Sequence, residues 1–457
     1  METKKRMGRD LTTGSVPKGL IAFATPLFLS NMLQAVYNMV DMVVVGKYVG
    51  SVGLSAVSIG GDILNMLTFV AMGFSNAGQI IISQYTGAGM REKVTRLIAT
   101  MFTFLLCCAL TITLLGTIGG TTVMKLLNTP PEAMADVKAY VNVCLSGLVF
   151  IYGYNMVSAV LRGMGDSKHP FMFIAISAMI NLVLDIVFVG GLNMGAMGAA
   201  LATVLGQAVS FICSITLLYR MRDQFGFDFK LTSFRIHKDV LRPLISLGIP
   251  MVIQSAAINF SKMFVHAWIN SYGVVISAVS GVGTKLGNIA NLFGNAFSTA
   301  GGAMNGQSIG AAKYDRVPKV IATTFCINAA VAAVFSAAVV IAPRTVFGIF
   351  TSEEAVLEVA MEYIPVAVMT FSSMALRSCM MTLINGSGNS KLNLAVALLD
   401  GVLARIGLSA LFGLALGYGY MGLWIGGEMA SFVPFLIGGT FFLSGSWKRK
   451  SKLIEED

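Results

Sequence analysis

The chain has 457 residues, of which 12% are charged and 55% hydrophobic, and its mean hydropathy is +0.76. Soluble proteins carry about 25% charged residues, so several water-soluble domains, a disordered chain, a collagen and a coiled coil are excluded, and an all-α integral membrane protein remains. The net charge of +10 is read as loop lysines and arginines that face anionic lipid and set orientation, with no nucleic-acid partner.

A helix needs about 20 mostly apolar residues to cross a bilayer. Behind a basic start (Lys4, Lys5, Arg6, Arg9 and Lys18), twelve segments qualify. Residues 20–46, 53–79, 93–118, 135–160, 169–190 and 196–219 form the first six. Residues 243–269, 275–302, 317–343, 357–383, 391–416 and 421–445 form the second six. The first is too long for a signal-peptide core and lacks a cleavage-type ending, so it reads as a retained span. Gly, Ser, Thr and Asn within the segments suit helices packed on one another. The polar stretch from Tyr219 to Arg242, with Gly226 inside it, reads as a cytoplasmic linker.

Orientation follows from the 32 Lys and Arg. With both termini in the cytoplasm, only Lys47, Lys125, Lys138 and Arg344 fall in outer loops. Lys262, Lys285, Arg377 and Arg405 fall within spans, and the rest are inside. This bias predicts an even number of spans in a cell membrane.

The chain copies itself at a shift of about 223 residues. Phe74-Ser-Asn-Ala-Gly78 matches Phe297-Ser-Thr-Ala-Gly301, and Gly163-Met-Gly165-Asp-Ser-Lys168 matches Gly386-Ser-Gly388-Asn-Ser-Lys391. Gln84 and Gly87-Ala88 match Gln307 and Gly310-Ala311, and Pro26 matches Pro250 within a residue of that shift. Six spans per copy give both halves one orientation. The expectation is two pseudo-symmetric six-helix bundles, residues 1–219 and 243–457, joined by a cytoplasmic linker at 220–242, with a central cavity between them and a short basic tail.

Several chemistries are missing. There is no G-x-x-x-x-G-K-[ST] loop for an ATP-driven motor. Gly417-x-Gly419-x-x-Gly422 lies between spans with no strand before it and is no dinucleotide site. Asn385-Gly-Ser387 falls on the inner side and so is a glycosylation sequon by spelling alone. His169, His237 and His266 are scattered, and the six cysteines lack C-x-x-C spacing. No enzyme is expected, and no cofactor beyond a bound Na⁺.

Charges within spans cost about 2.5–3.5 kcal/mol each on insertion scales, which makes them the first functional candidates. Asp41 and Asp185 each lie five residues before the outer end of their span, so both sit at about the same depth. Asn181 is one turn below Asp185. Tyr37 and Asn38 are one turn below Asp41. Thr203 reaches a similar depth in span 6. Two carboxylates held together share a proton or capture a cation. Asn and Thr oxygens suit Na⁺, so Asp41, Asn181, Asp185 and Thr203 are the candidate H⁺ or Na⁺ site. The structural alternative is interhelical polar glue. The second half repeats neither aspartate. Its Lys262, Asp400 and Glu428 read first as buried ion pairs that fix packing, and otherwise as a charged wall of a substrate cavity. Asp62, Lys285, Arg377 and Arg405 receive no role, although Arg377 stands where it can snorkel. Some of the 28 Met and 29 Phe would give a cavity an adaptable wall.

A family resemblance rests on these residues. Twelve spans in two copies, the first bent at Pro26, Gln34-Ala-Val-Tyr37-Asn-Met-Val-Asp41, Gly163-Met-Gly165-Asp-Ser-Lys168 and Asn181-Leu-Val-Leu-Asp185 resemble the MATE (multidrug and toxic compound extrusion) transporters, in their DinF- and MepA-like prokaryotic branch. The resemblance implies a MATE/MOP-type fold and export of cationic or amphipathic compounds in exchange for H⁺ or Na⁺. It implies a cation site at Asp41, Asn181, Asp185 and Thr203, with Gln34, Tyr37, Asn38 and Asn155 as polar neighbours in the same cavity. Other branches carry acids in spans 7 and 10; here those spans offer Gln254, Lys262 and Arg377, and no acid beyond Glu358 and Glu362 at the outer end of span 10.

The sequence therefore predicts a secondary antiporter that works by alternating access, with Pro26 as hinge, small organic compounds as cargo, and a monomeric state. A flippase for a lipid-linked anionic substrate is the alternative, motivated by Lys262, Lys285 and Arg405. A non-transporting receptor or scaffold is the third class.

Overall fold

The protein is described from a computed structural model, over residues 9–126, 129–222, 227–448 and 453–454. Lys4, Lys5, Arg6 and Gly226 lie outside the described residues. The long apolar stretches fold as helices because a helix satisfies its own backbone polar groups without water. In the first half these are α1 (Val16–Tyr48), α2 (Gly50–Gly87), α3 (Arg91–Leu126), α4 (Met134–Ser146), α5 (Leu148–Gly163), α6 (Lys168–Asp185) and α7 (Gly195–Arg220). In the second they are α8 (Lys238–Asn270), α9 (Val274–Gly310), α10 (Arg316–Ile341), α11 (Pro343–Gly348), α12 (Glu354–Glu362), α13 (Ile364–Gly386), α14 (Ser390–Leu398), α15 (Arg405–Ser409), α16 (Gly419–Ala430) and α17 (Val433–Leu443).

Among the described residues, ten helical stretches are long and apolar enough to cross a membrane, and α4 with α5, bent by 49°, makes an eleventh. The expected span 275–302 lies within α9. At 37 residues α9 is long enough, but its Gly, Ser and Asn content keeps it out of that apolar set. The protein is a multi-pass helical membrane protein.

Two compact units divide the chain. The first holds residues 1–9 and 29–248, the second 10–28 and 249–457. The division differs from the expected one at both ends. Residues 10–28 pack in the second unit, where Leu20, Phe23 and Leu27 meet Phe297, Ala300 and Met304. Helix α1 thus passes from one unit to the other between Phe28 and Leu29, two residues after Pro26. The expected linker is part of the first unit as well. Its Phe227, Phe229 and Phe234 pack edge-to-face on one another and reach Phe102 of α3. The aromatic residues anchor a segment that its polar composition marked as a linker. In its exposed turn, the Ser233 hydroxyl and the Lys230 amide hold the Asp228 carboxyl below the usual carboxylate range.

The internal repeat has a physical content that is the same in each unit. Gly165 and Gly388 adopt φ of +89° and +65° and end the helix before them. The next residue then caps the following helix. Asp166 Oδ1 accepts the amides of Lys168 (3.0 Å) and His169 (3.2 Å). Asn389 Oδ1 accepts those of Lys391 (3.1 Å) and Leu392 (3.3 Å). Asp166 Oδ2 also contacts His169 Nδ1. The preceding glycine permits close helix approach in both copies. A Cβ on Gly163 would lie 2.8 Å from the Gln79 carbonyl oxygen, and one on Gly386 3.0 Å from that of Gly302. Asp166→Ala and Asn389→Ala should each lower stability by about 1 kcal/mol, the usual worth of such a cap, measured as a fall in melting temperature in detergent.

Candidate functional site

In the first unit, α1 and α6 bring the two aspartates together. Asp41 is 8% exposed and Asp185 1%, and their carboxyl groups lie within hydrogen-bonding reach of each other. One oxygen of each, Oδ1, has no hydrogen-bond partner. Asn181, 3% exposed, donates its amide to Thr203 Oγ at 3.3 Å. Its amide oxygen is thereby left to face other partners. The approach of α7 to α6 depends on Gly206, where a Cβ would lie 2.9 Å from the Ser177 carbonyl oxygen and 3.5 Å from the Asn181 Cβ.

The neighbours sort less evenly. Tyr37 is within hydrogen-bond reach of Gln34 and close enough to Asp41 to feel its charge. Asn38 is exposed. Asn155 donates to the Ile151 carbonyl of its own helix at 2.8 Å, so its amide is turned back on α5. Tyr140 and Cys144 of α4 also lie within the electrostatic reach of Asp41. Sequence reasoning missed both, because helix periodicity does not show which side of α4 meets α1. Gly60 of α2 makes the room for Tyr140, whose ring occupies the place a Cβ would take. Asp185 is the last residue of its α-helix, and a π-turn, Ile186–Gly191, follows it at once. The second half has a π-turn at the matching place, Ala410–Ala415. Such turns occur often at functional sites.

The second unit gathers the remaining intramembrane charges other than Asp62. Asp400, fully buried, is paired with Arg405 Nη2 at 3.0 Å and Arg377 Nη2 at 3.6 Å. Arg405 also donates to the Gly427 carbonyl at 2.9 Å and to Ser431 Oγ at 3.1 Å. Among the described residues no ion pair joins Lys262 to Asp400 or Glu428, which corrects the expectation of pairs within that trio. The reason is local. Asp400 stands on a π-turn, Leu399–Ala404, whose i→i+5 bonding brings residues five apart toward one face. Arg405 therefore takes the place an α-helix would give to residue 404. Lys262 and Glu428 line a cavity instead. Asp62 and Lys285 are exposed. The Lys285 ammonium stands over the Phe350 ring at 5.9 Å.

The MatE family model matches residues 26–187 and 250–432, one stretch in each half of the chain. The probable multidrug resistance protein YpnP of Bacillus subtilis (strain 168) is 31% identical over 313 residues, 67% of this chain and 68% of its own. The probable multidrug resistance protein YoeA of the same organism is 27% identical over 351 residues, 76% of each chain. A solved structure, described as the outward-facing conformation of a multidrug resistance MATE family transporter of the MOP superfamily, superposes with a TM-score of 0.88 at 20% identity. It covers 98% of this chain and 100% of that one. A multi-pass helical protein whose family model and relatives are those of multidrug transporters is a membrane transporter rather than an enzyme. The chain belongs to the MatE family, the MATE transporters.

Proposed function

We propose that the protein exports organic, mostly cationic or amphipathic compounds by exchanging them for H⁺ or Na⁺ at the Asp41–Asp185 pair. The observation that carries this reading is the pair itself: two buried carboxyl groups within hydrogen-bonding reach of each other, each with an unpartnered oxygen. Two such groups cannot both stay charged cheaply, so the pair takes a proton or a cation. The Asn181 amide oxygen, Thr203 Oγ and the carboxylates form the hard oxygen donor set that Na⁺ prefers. That relatives are named as multidrug resistance proteins supports the cargo.

The cycle has two competing occupants. Loading from the extracytoplasmic side neutralises the layer, lets α1 bend near Pro26 and releases cargo outward. Reorientation exposes the site to the cytoplasm, where the cation leaves and cargo binds. Coupling requires only that cation and cargo favour opposite states of one conformational equilibrium. The passage of α1 between the two units just beyond Pro26 puts a proline, which removes a backbone hydrogen bond, where such bending would act. The distribution of Lys and Arg supports a cell-membrane protein with both termini cytoplasmic. The protein acts as a monomer in this reading, since one chain supplies both carboxylates and both units.

The test is efflux of ethidium from proteoliposomes under separately imposed pH and Na⁺ gradients. At least one gradient should accelerate efflux well above the rate with neither. Equal rates under all three conditions would remove the exchange reading.

A further inference from the structure

We propose that the cavity in the second unit is a binding site for an organic carboxylate, so that acidic or zwitterionic compounds are among the molecules this transporter recognises. The cavity has a volume of about 100 Å³. Lys262, Arg377 and Arg405 line it against the single acid Glu428. Asp400 lies behind the two arginines and is held by both. The cluster therefore keeps one cation more than its acids can balance.

The hydrogen-bonding inventory of the cluster includes donors as well as charge. Trp424 and Arg405, each 4% exposed, line the cavity. Trp424 Nε1 and Arg405 Nε are buried donors with no partner. The Lys262 ammonium forms no hydrogen bond or ion pair among the described residues. The acids are better served. Glu428 has Thr370 within hydrogen-bond reach, and the unpartnered Asp400 Oδ2 faces Arg377. The His266 nitrogens approach the Ser280 and Thr284 hydroxyls, each at 3.4 Å. The Lys262 ammonium is thus the charge left without a partner on the cavity wall, and charge-assisted bonds to a carboxylate are the strong way to satisfy it.

The rest of the lining selects the body of the ligand. Val265, Ile269, Met374 and Leu423 are apolar and buried. The Tyr363 and Trp424 rings meet edge-to-face at 4.9 Å. An inorganic anion would leave these walls without a partner, whereas a ring or short chain would cover them. The site lies in the other unit from the Asp41–Asp185 pair, and binding there stands whether or not that pair couples to transport.

The experiment measures binding to the full chain in nanodiscs, by calorimetry and tryptophan fluorescence. The probes are benzoate, benzyl alcohol, benzylammonium and inorganic phosphate at one ionic strength. Benzoate should bind most tightly. Lys262→Gln should weaken it at least about tenfold, the scale of one lost charge-assisted bond, while Lys262→Arg keeps it. Glu428→Gln should tighten it several-fold, a gain that damage to the fold would not produce. The proposal is overturned if benzyl alcohol, benzylammonium or phosphate binds as tightly as benzoate. It is equally overturned if Lys262→Gln, melting like the wild type, binds benzoate unchanged, or if Glu428→Gln fails to tighten it.

Discussion

Asp41→Asn and Asp185→Asn should each reduce gradient-driven efflux to the level of empty vesicles, while expression and membrane insertion stay at wild-type levels. The amide is nearly the size and shape of the carboxyl group, so packing around α1 and α6 is kept. What it cannot do is gain and lose a proton or hold a cation by charge. Because the two carboxyl groups lie within hydrogen-bonding reach of each other, they act as a unit, and the double variant should be no worse than either single one. Each variant mimics the cation-loaded layer permanently. Affinity for an organic cation should therefore fall, and its pH dependence should disappear. Asn155→Ala serves as the contrast, since that amide bonds its own helix and its loss should leave most of the efflux rate. Wild-type efflux from either aspartate variant would remove the site from the mechanism.

Arg405→Met should be among the most destabilising single changes in the second unit, at about 3–5 kcal/mol, the cost of leaving a buried charge without its partner. Asp400 is fully buried, and without Arg405 it keeps only the longer contact to Arg377 at 3.6 Å. Arg377→Gln should cost less, because that side chain is 27% exposed and the bond it gives up is weaker. The combined variant Asp400→Leu with Arg405→Met should recover much of the loss, since replacing a buried pair by apolar residues of similar volume is often neutral or better. Melting curves of detergent-solubilised protein read all three against the wild type. A double variant as unstable as Arg405→Met alone would mean that Arg405 acts through Gly427 and Ser431 rather than through Asp400.

What could be read from the sequence was whatever depends on helical spacing. Asp41 and Asp185 stand at equal distances from their span ends, so their common depth followed from the rise per residue, and Asn181 one turn from Asp185 followed from the period. The repeat was visible as residue identity, although its meaning was not. The Gly-x-Gly-Asp/Asn-Ser-Lys motif is a helix stop followed by a cap in each unit, a structural role that the spelling alone leaves open. Three features were hidden for definite reasons. The Asp400–Arg405 pair needs a π-turn, which changes the residue spacing and has no sequence signal here. Tyr140 and Cys144 reach Asp41 through tertiary packing, admitted by a glycine on a third helix. The placement of residues 10–28 in the second unit runs against chain order, because a continuous apolar helix carries no mark of which neighbour covers it. Span counting was limited in the same way. Residues 274–310 form a helix of ample length with small and polar residues where an apolar window was expected.

The central claim is that cargo and a small cation compete for one carboxylate pair, and it can be read without any transport. Purified protein in weakly buffered solution is titrated with ethidium while released H⁺ is followed with a pH indicator and displaced ²²Na⁺ is counted. The account predicts that the wild type releases H⁺ or Na⁺ in step with cargo binding, and that the Asp41→Asn, Asp185→Asn double variant releases neither. Cargo binding to the wild type with no release of either ion, or equal release from the double variant, would contradict it.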